Sequence, residues 1–381
     1  MTLPNGVRLE VVSPGSPATP TRHVLMTVDA VGGVWRYALD LAAQLRAHGY
    51  RFTLVGLGPQ PSTAQRQEAE RVADVVWLDA PLDWLVEDER ALDAVPPLLA
   101  PLVASLDVDL VHLNLPSQAA GLVVDVPVLV VSHSCVVTWF AGVRGSEVPP
   151  DWAWQKRRNL AGFSNSDMVL APSRSHADML RAAYGPLANQ RVVYNGSRAI
   201  PGSTDKEPFV FAAGRWWDDG KNGATLDAAS RAMEWPVVMA GNNRGPAGQY
   251  VAIEHADLRG ELPHAEVRAL MGRAAIVCSP SVYEPFGLAP LEAAGARAAL
   301  VLSDIPTYRE LWDGAALFAP PHDAAGMAAA VNTLARDPGR RAELAEKAQQ
   351  RAQQYSLAAQ AEAMAGAYAD LLNTPSIAQR A

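Results

Sequence analysis

Short apolar runs alternate with helix-length intervals along almost the whole chain, and that alternation restricts the fold more than any other feature. Runs at 23–29, 51–58, 75–79, 110–114, 127–133, 168–173 and 191–195 read as strands. The same holds for 209–214, 236–241, 256–262, 274–281, 298–304 and 315–320. Strands separated by helical intervals pair in parallel, because only a crossover brings the chain back to the same end of a sheet. Residues 34–48 illustrate such an interval, with Trp35, Leu39, Ala42 and Leu45 at helical spacing and Gly49 as the stop. A polar, turn-rich stretch at 196–208 interrupts the pattern. The expectation is an α/β protein of two doubly wound parallel sheets in tandem, with ligand in the crevice at the strand C-terminal ends. After 323 the pattern is helical, and the expected segments are 1–200, 201–356 and 357–381.

Composition agrees with two soluble domains: 381 residues, 49% hydrophobic and 19% charged. A net charge of −8 supplies no basic field for nucleic acid. Two cysteines, Cys135 and Cys278, make neither a disulfide framework nor a metal-ligand cluster. The first residues lack the layout of a signal peptide, and no apolar run approaches the ~20 residues that span a bilayer. A cytoplasmic protein is therefore expected. The cluster Gln155-Lys156-Arg157-Arg158 reads as a solvated helix face, with contact to the inner membrane surface or to an acceptor as the sharper alternative.

The stretch richest in chemistry is Glu-Pro-Phe-Gly-Leu-Ala-Pro-Leu-Glu, residues 284–292. It lies between a strand and a helical pattern expected at 291–299. Pro285 and Gly287 shape the turn, so amides near Phe286, Gly287 and Leu288 can face outward at a helix start, where an anion is favoured. Glu284 and Glu292 can hold hydroxyls on either side of that anion, the layout of a sugar nucleotide; a loop glutamate and a helix-capping glutamate are the plain alternative. Gly32 and Gly33 follow the first strand and let a ligand approach the backbone, although no G-x-G-x-x-G is present. His133 ends a buried strand and can donate a hydrogen bond to a substrate, with a structural role as its alternative; His112, mid-strand, is the weaker candidate. Arg215 and Lys221 flank the loop after the 209–214 strand, a planar fork and a mobile point charge able to neutralise one diphosphate. No G-x-S-x-G elbow, Walker loop or H-E-x-x-H occurs, and Asn195-Gly196-Ser197 reads as a turn rather than a glycan acceptor.

In this order the residues resemble the retaining glycosyltransferases of the GT-B fold, the family-four group, over nearly the whole chain from His23. The most specific part is 279–292, similar to that family's E-x(7)-E signature. Beside it stand Gly32-Gly33, His133, Gly214-Arg215 with Lys221, Arg259-Gly260-Glu261-Leu262, and 302–306 with Glu310. The resemblance implies two Rossmann-like domains facing a central cleft, with the helix near 357–372 returning to the N-terminal one. It implies that Arg215 and Lys221 stabilise the leaving diphosphate and that Phe286–Leu288 amides hold its distal phosphate. Glu284 would touch donor-sugar hydroxyls, Glu292 the ribose, and Gly260 to Leu262 the base. Gly32 and Gly33 would lie under the phosphate or acceptor, and His133 against the transferred sugar. The implied substrates are a UDP or GDP type sugar and a glycan, lipid or small-molecule hydroxyl, with neither metal nor other cofactor. Three departures bear on the sugar and acceptor: Ser134 where an acidic residue is frequent, the bulky Trp216-Trp217, and the added segment 1–20 with its strand-like 7–12. Rival readings are a sugar-nucleotide epimerase on the same scaffold and a non-catalytic nucleotide-sugar-binding protein.

Overall fold

The computed structural model describes residues 21–198, 205–246 and 248–373. The added segment 1–20 and the middle of the linker fall outside these. The first sheet contains β1 (Arg22–Val28), β2 (Tyr50–Gly56), β3 (Asp74–Trp77), β4 (Leu110–Leu113), β5 (Val128–Val131), β6 (Met168–Ala171) and β7 (Gln190–Val192). The second contains β8 (Glu207–Ala213), β9 (Val237–Ala240), β10 (Asp257–Leu258), β11 (Ala274–Ser279), β12 (Ala299–Ser303) and β13 (Leu317–Ala319). Every strand-like run of the sequence overlaps a strand here, with ends shifted: β1, β2, β3, β7 and β8 start earlier than expected, and each strand stops sooner. Pairing is parallel throughout, with strand order β3-β2-β1-β4-β5-β6-β7 in one sheet and β10-β9-β8-β11-β12-β13 in the other. Two Rossmann-like α/β domains result.

The strand order reverses between β1 and β4 in the first sheet and between β8 and β11 in the second. Loops leaving neighbouring strands at a reversal go to opposite faces and open a crevice there. Gly32 and Gly33 follow β1, Asn114 follows β4, Arg215 and Lys221 follow β8, and Glu284 follows β11. Topology alone therefore collects most candidate residues at two facing crevices.

Helices cover both faces of each sheet. Helix Gly33–Leu45 buries Trp35, Leu39, Ala42 and Leu45 as its periodicity predicts, and Gly49 ends the segment with a left-handed φ of 82°. The last helix, Leu357–Leu372, packs Ala361, Met364, Ala367, Tyr368 and Leu371 into the apolar cluster of Val24, Met26 and Phe52, so it belongs to the N-terminal core. Tyr368 Oη lies 2.6 Å from His112 Nδ1 beneath β4. Where the chain leaves the first domain, Gly196 donates to Gln360 Oε1 at 3.0 Å and Ser197 to the Tyr355 carbonyl at 3.2 Å. Asn195 is buried there against Gln360, which leaves no room for a glycan, and instead of the expected turn Ser197 makes a parallel bridge with Ser356.

One boundary differs from expectation. The helix expected at 291–299 is Leu288–Gly295, and Ala299 already belongs to β12. Pro290 makes the sequence look like turn, but proline is tolerated in a first helical turn, where its missing N–H has no partner to lose.

Candidate active site

Asp29 follows β1 and organises the first crevice. Its Oδ1 accepts from the amides of Val31 at 2.9 Å and Gly32 at 3.1 Å. Burial raises the Asp29 pKa, opposed by those amides and by Arg215 across the cleft. Gly32 has φ −133°, so no left-handed backbone calls for glycine. A Cβ on Gly33 would meet nothing within 4 Å. The pair keeps open space over a helix N-terminus that no side chain caps.

His133 sits two residues beyond β5, with its ring 4.4 Å from that of Tyr37. Asn114 Nδ2 donates to the Thr27 carbonyl at 2.6 Å, which orients the amide and leaves Oδ1 as an acceptor. His133 Nε2, 2.8 Å from that oxygen, therefore carries the proton and donates inward. Burial, with His112 and His176 nearby, lowers the His133 pKa to about 3, so the ring is neutral. Its remaining nitrogen, Nδ1, is an acceptor. This corrects the expectation that His133 donates to substrate: a sugar hydroxyl would donate to it.

The second crevice is built on β8 and β11. Gly241, with φ 116°, lets the Gly214 carbonyl approach so closely that a Cβ would lie 1.9 Å from it. Trp216 is buried, its Nε1 donating to the Ala240 carbonyl at 2.9 Å, so it is a core residue rather than a crowding one. Trp217 lies beside Arg215, whose guanidinium carbon is 5.5 Å from the ring centroid. Arg215 is half exposed and 3.7 Å from Asp218. A 3₁₀ turn, Asp219–Lys221, then swings Lys221 back, and its Nζ meets Glu284 Oε2 at 2.5 Å. A diphosphate arriving here would share Lys221 with that carboxylate.

Glu284 leads to the left-handed Gly287, φ 93°, from which helix Leu288–Gly295 starts without a side-chain cap. A Cβ on Gly287 would lie 2.9 Å from Tyr308 Cε1 and 3.3 Å from Glu284 Cγ, so the turn accepts glycine alone. The Phe286 side chain is buried, which leaves its backbone for any ligand. Leu288 heads a first turn whose amides have no carbonyl one turn back. Glu292 is mostly buried, accepts from Ser197 Oγ at 3.3 Å and has its pKa raised by burial. It lines a small cavity with Arg36, Asp40, Ser197 and Gln360. Gly260, φ 66°, and Leu262 lie beyond the edge strand β10, where the Gly260 carbonyl accepts from Gly241 at 2.7 Å.

Residues 31–197 match the family model described as Glycosyltransferase Family 4, and residues 198–351 match Glycosyl transferases group 1. The chain belongs to this glycosyltransferase family. A glycogen synthase of Mycobacterium tuberculosis is 27% identical over 266 residues, covering 62% of this chain and 61% of that protein. The match thus spans about three fifths of the relative's length. A sucrose-phosphate synthase from Thermosynechococcus elongatus superposes with TM-score 0.76 at 18% identity, covering 92% of this chain and 99% of the other. Anabaena Alr3699/HepE in complex with UDP and glucose gives 0.75 at 17%, covering 92% and 100%. These likenesses establish the GT-B fold.

Within this glycosyltransferase several site neighbours carry no signature. Asn114, Trp139, Asp218 and Tyr283 are fixed by contacts between residues far apart in the chain. Asn114 alone leaves a trace, a polar residue closing a buried strand at the sheet's reversal point. The basic cluster is neutralised locally: Lys156 pairs with Glu147 at 3.5 Å, Arg157 with Glu89 at 2.9 Å and Arg158 with Asp93 at 2.7 Å. Only Lys156 and Arg157 form a solvated face. Gln155 and Arg158 are buried, donating to the Asp83 carbonyl at 2.8 Å and the Leu92 carbonyl at 2.8 Å, which corrects the expectation of a solvated cluster. Among the described residues no helix is long and apolar enough to cross a membrane, and no group of three or more His, Cys, Asp or Glu converges to hold a metal ion.

Proposed function

We propose that the protein transfers a glycosyl group from a nucleotide-diphosphate sugar to a hydroxyl acceptor, with retention at the anomeric carbon. The observation that carries this reading is the Lys221–Glu284 pair, 2.5 Å apart, beside Arg215 and the uncapped helix start at Gly287. Cations and amides suit a diphosphate, and the carboxylate suits the hydroxyls of the sugar attached to it. The similar Anabaena Alr3699/HepE, whose structures hold UDP and UDP-glucose, adds support for a uridine diphosphate sugar.

In this reading the anomeric carbon–oxygen bond breaks as Arg215, Lys221 and the Phe286–Leu288 amides stabilise the departing diphosphate. The acceptor oxygen attacks from the same face, and its proton passes to a diphosphate oxygen. Glu284 and His133 Nδ1 hold the sugar, Glu292 holds the ribose, and Gly260 to Leu262 face the base. Fixed positive groups then do what a metal does elsewhere, because stabilising developing charge is the main demand of the step.

The test is incubation with UDP-, GDP- and ADP-glucose, with nucleotide release and the anomeric configuration of any product as readouts. Transfer with retention supports the proposal. A sugar nucleotide converted to its epimer with little diphosphate released would favour an epimerase, and binding without turnover a non-catalytic protein.

A further inference from the structure

We infer that Tyr283 is a positioning residue that ties the placement of Glu284 to closure of the N-terminal domain over the cleft, an inference that rests on the transfer reading above. Tyr283 belongs to the C-terminal domain, yet its ring and hydroxyl are held by the other one. Its Oη lies 3.0 Å from Ser134 Oγ and 2.8 Å from Thr138 Oγ1. Thr138 gives its own proton to the Cys135 carbonyl at 3.1 Å. Each hydroxyl has one proton, so the direction follows: Ser134 donates to Tyr283, Tyr283 to Thr138, and Thr138 to the backbone. The ring is 5% exposed, and a Cβ on Gly142 would come within 2.6 Å of its Cδ2.

The other neighbour of Glu284 is gripped as well. The Pro285 carbonyl accepts from Ser173 Oγ, again across the cleft, at 2.6 Å. Residues on both sides of Glu284 therefore bond to the N-terminal domain, while its carboxylate bonds to Lys221. The Lys221 loop is included in the junction. Val282 N donates to the Gly220 carbonyl at 2.9 Å, and Asp218 Oδ1 accepts from Gly220 N and from Trp139 Nε1, both at 2.9 Å. Ser134 and Thr138 lie one and five residues after His133, on the segment that also meets the sugar. Separating the domains breaks the hydroxyl chain and the Ser173 contact, leaving Glu284 only its partners within the C-terminal domain, Lys221 and Tyr308. Correct placement of the sugar-binding carboxylate is then a property of the closed molecule, and displacements near 1 Å at such groups carry large rate penalties.

The experiment compares Tyr283→Phe, Thr138→Val and the double variant, reading kcat and KM for the sugar nucleotide, melting temperature, and affinity for UDP, GDP and ADP as separate probes. Each single variant should lower kcat on the order of tenfold, with nucleotide affinity and melting temperature near wild type. The double variant should be no slower than the slower single one, because both break one chain. Gly142→Ala, pressing the ring from its other side, should lower kcat in the same way. Wild-type kcat in Tyr283→Phe, or losses that multiply in the double variant, would overturn the inference while leaving the transfer reading intact. Failure of the unaltered protein to bind any of the three nucleotides would overturn the transfer reading and this inference with it.

Discussion

Glu310, carried by the C-terminal domain, caps a helix of the N-terminal one. Its Oε2 accepts the Ser175 amide at 2.7 Å and the Ser175 hydroxyl at 2.6 Å. Its Oε1 accepts from Arg174 N and Tyr194 Oη, both at 2.9 Å. A carboxylate at the start of helix Arg174–Tyr184 satisfies orphan amides and lies at the positive end of the dipole. Glu310→Ala should therefore destabilise the protein by about 1–3 kcal/mol, the range for losing hydrogen bonds to a charged group. Urea titration checks this, and an unchanged midpoint would show that the cap contributes nothing net.

Lys221→Ala and Arg215→Ala should each reduce turnover on the order of 10²-fold, as loss of a fixed electrostatic donor does. Melting temperature should move little in Arg215→Ala, since that side chain is half exposed. Near-normal nucleotide release in both variants would remove the leaving-group assignment.

Gly287→Ala should cost about 1–3 kcal/mol, because φ 93° is a sparsely populated backbone region for a residue with a Cβ. The intruding methyl also presses on Tyr308 and Glu284, so activity should fall further than stability does. Activity retained at wild-type level would separate this turn from phosphate binding.

Glu292→Gln has a pH-dependent signature. Burial raises the Glu292 pKa in the folded protein. The native state thus takes up a proton at higher pH than the unfolded chain, and the burial cost is full only above the raised value. The glutamine variant should be the more stable one at neutral pH, and the advantage should vanish below the unfolded glutamate range near 4.3. Its nucleotide affinity should fall about tenfold, the size of a weakened charge-assisted hydrogen bond to ribose. Unchanged affinity would argue against the ribose role.

Buried histidines act with the opposite sign. Burial lowers His112 and His133 to about 3 and His176 to about 4. The unfolded rings bind protons near 6.5, so stability is fully present above that pH and declines as pH falls from 6.5 toward 4. Raised carboxyls such as Asp29 and Asp83 partly offset the loss. The melting temperature should be lower at pH 5 than at pH 7.5; equal values would mean that the rings protonate without disturbing their surroundings.

What was legible from the chain follows from the range of each signal. Strand runs such as 127–133 are local, and parallel α/β order is a consequence of how strands and helices alternate, so thirteen strands could be read in place. The motif residues Glu284, Gly287 and Glu292 were equally visible, because a turn and a helix start are made by neighbours in sequence. The helix expected at 291–299 is displaced toward the N-terminus, to Leu288–Gly295, because proline at 290 is tolerated in a first turn and β12 starts at Ala299.

Tertiary structure decided the rest, because hydrogen bonds across a cleft leave no periodicity. His133 became an acceptor only through Asn114, whose amide is oriented by Thr27 on a neighbouring strand. Trp216 resembled an obstacle in the phosphate loop until packing placed it in the core. No spacing along the chain marks a partner for Tyr283, and only the meeting of two domains gives its hydroxyl Ser134 and Thr138. Spacing along a chain records what one segment can form; which distant groups complete it depends on how the sheets are brought together.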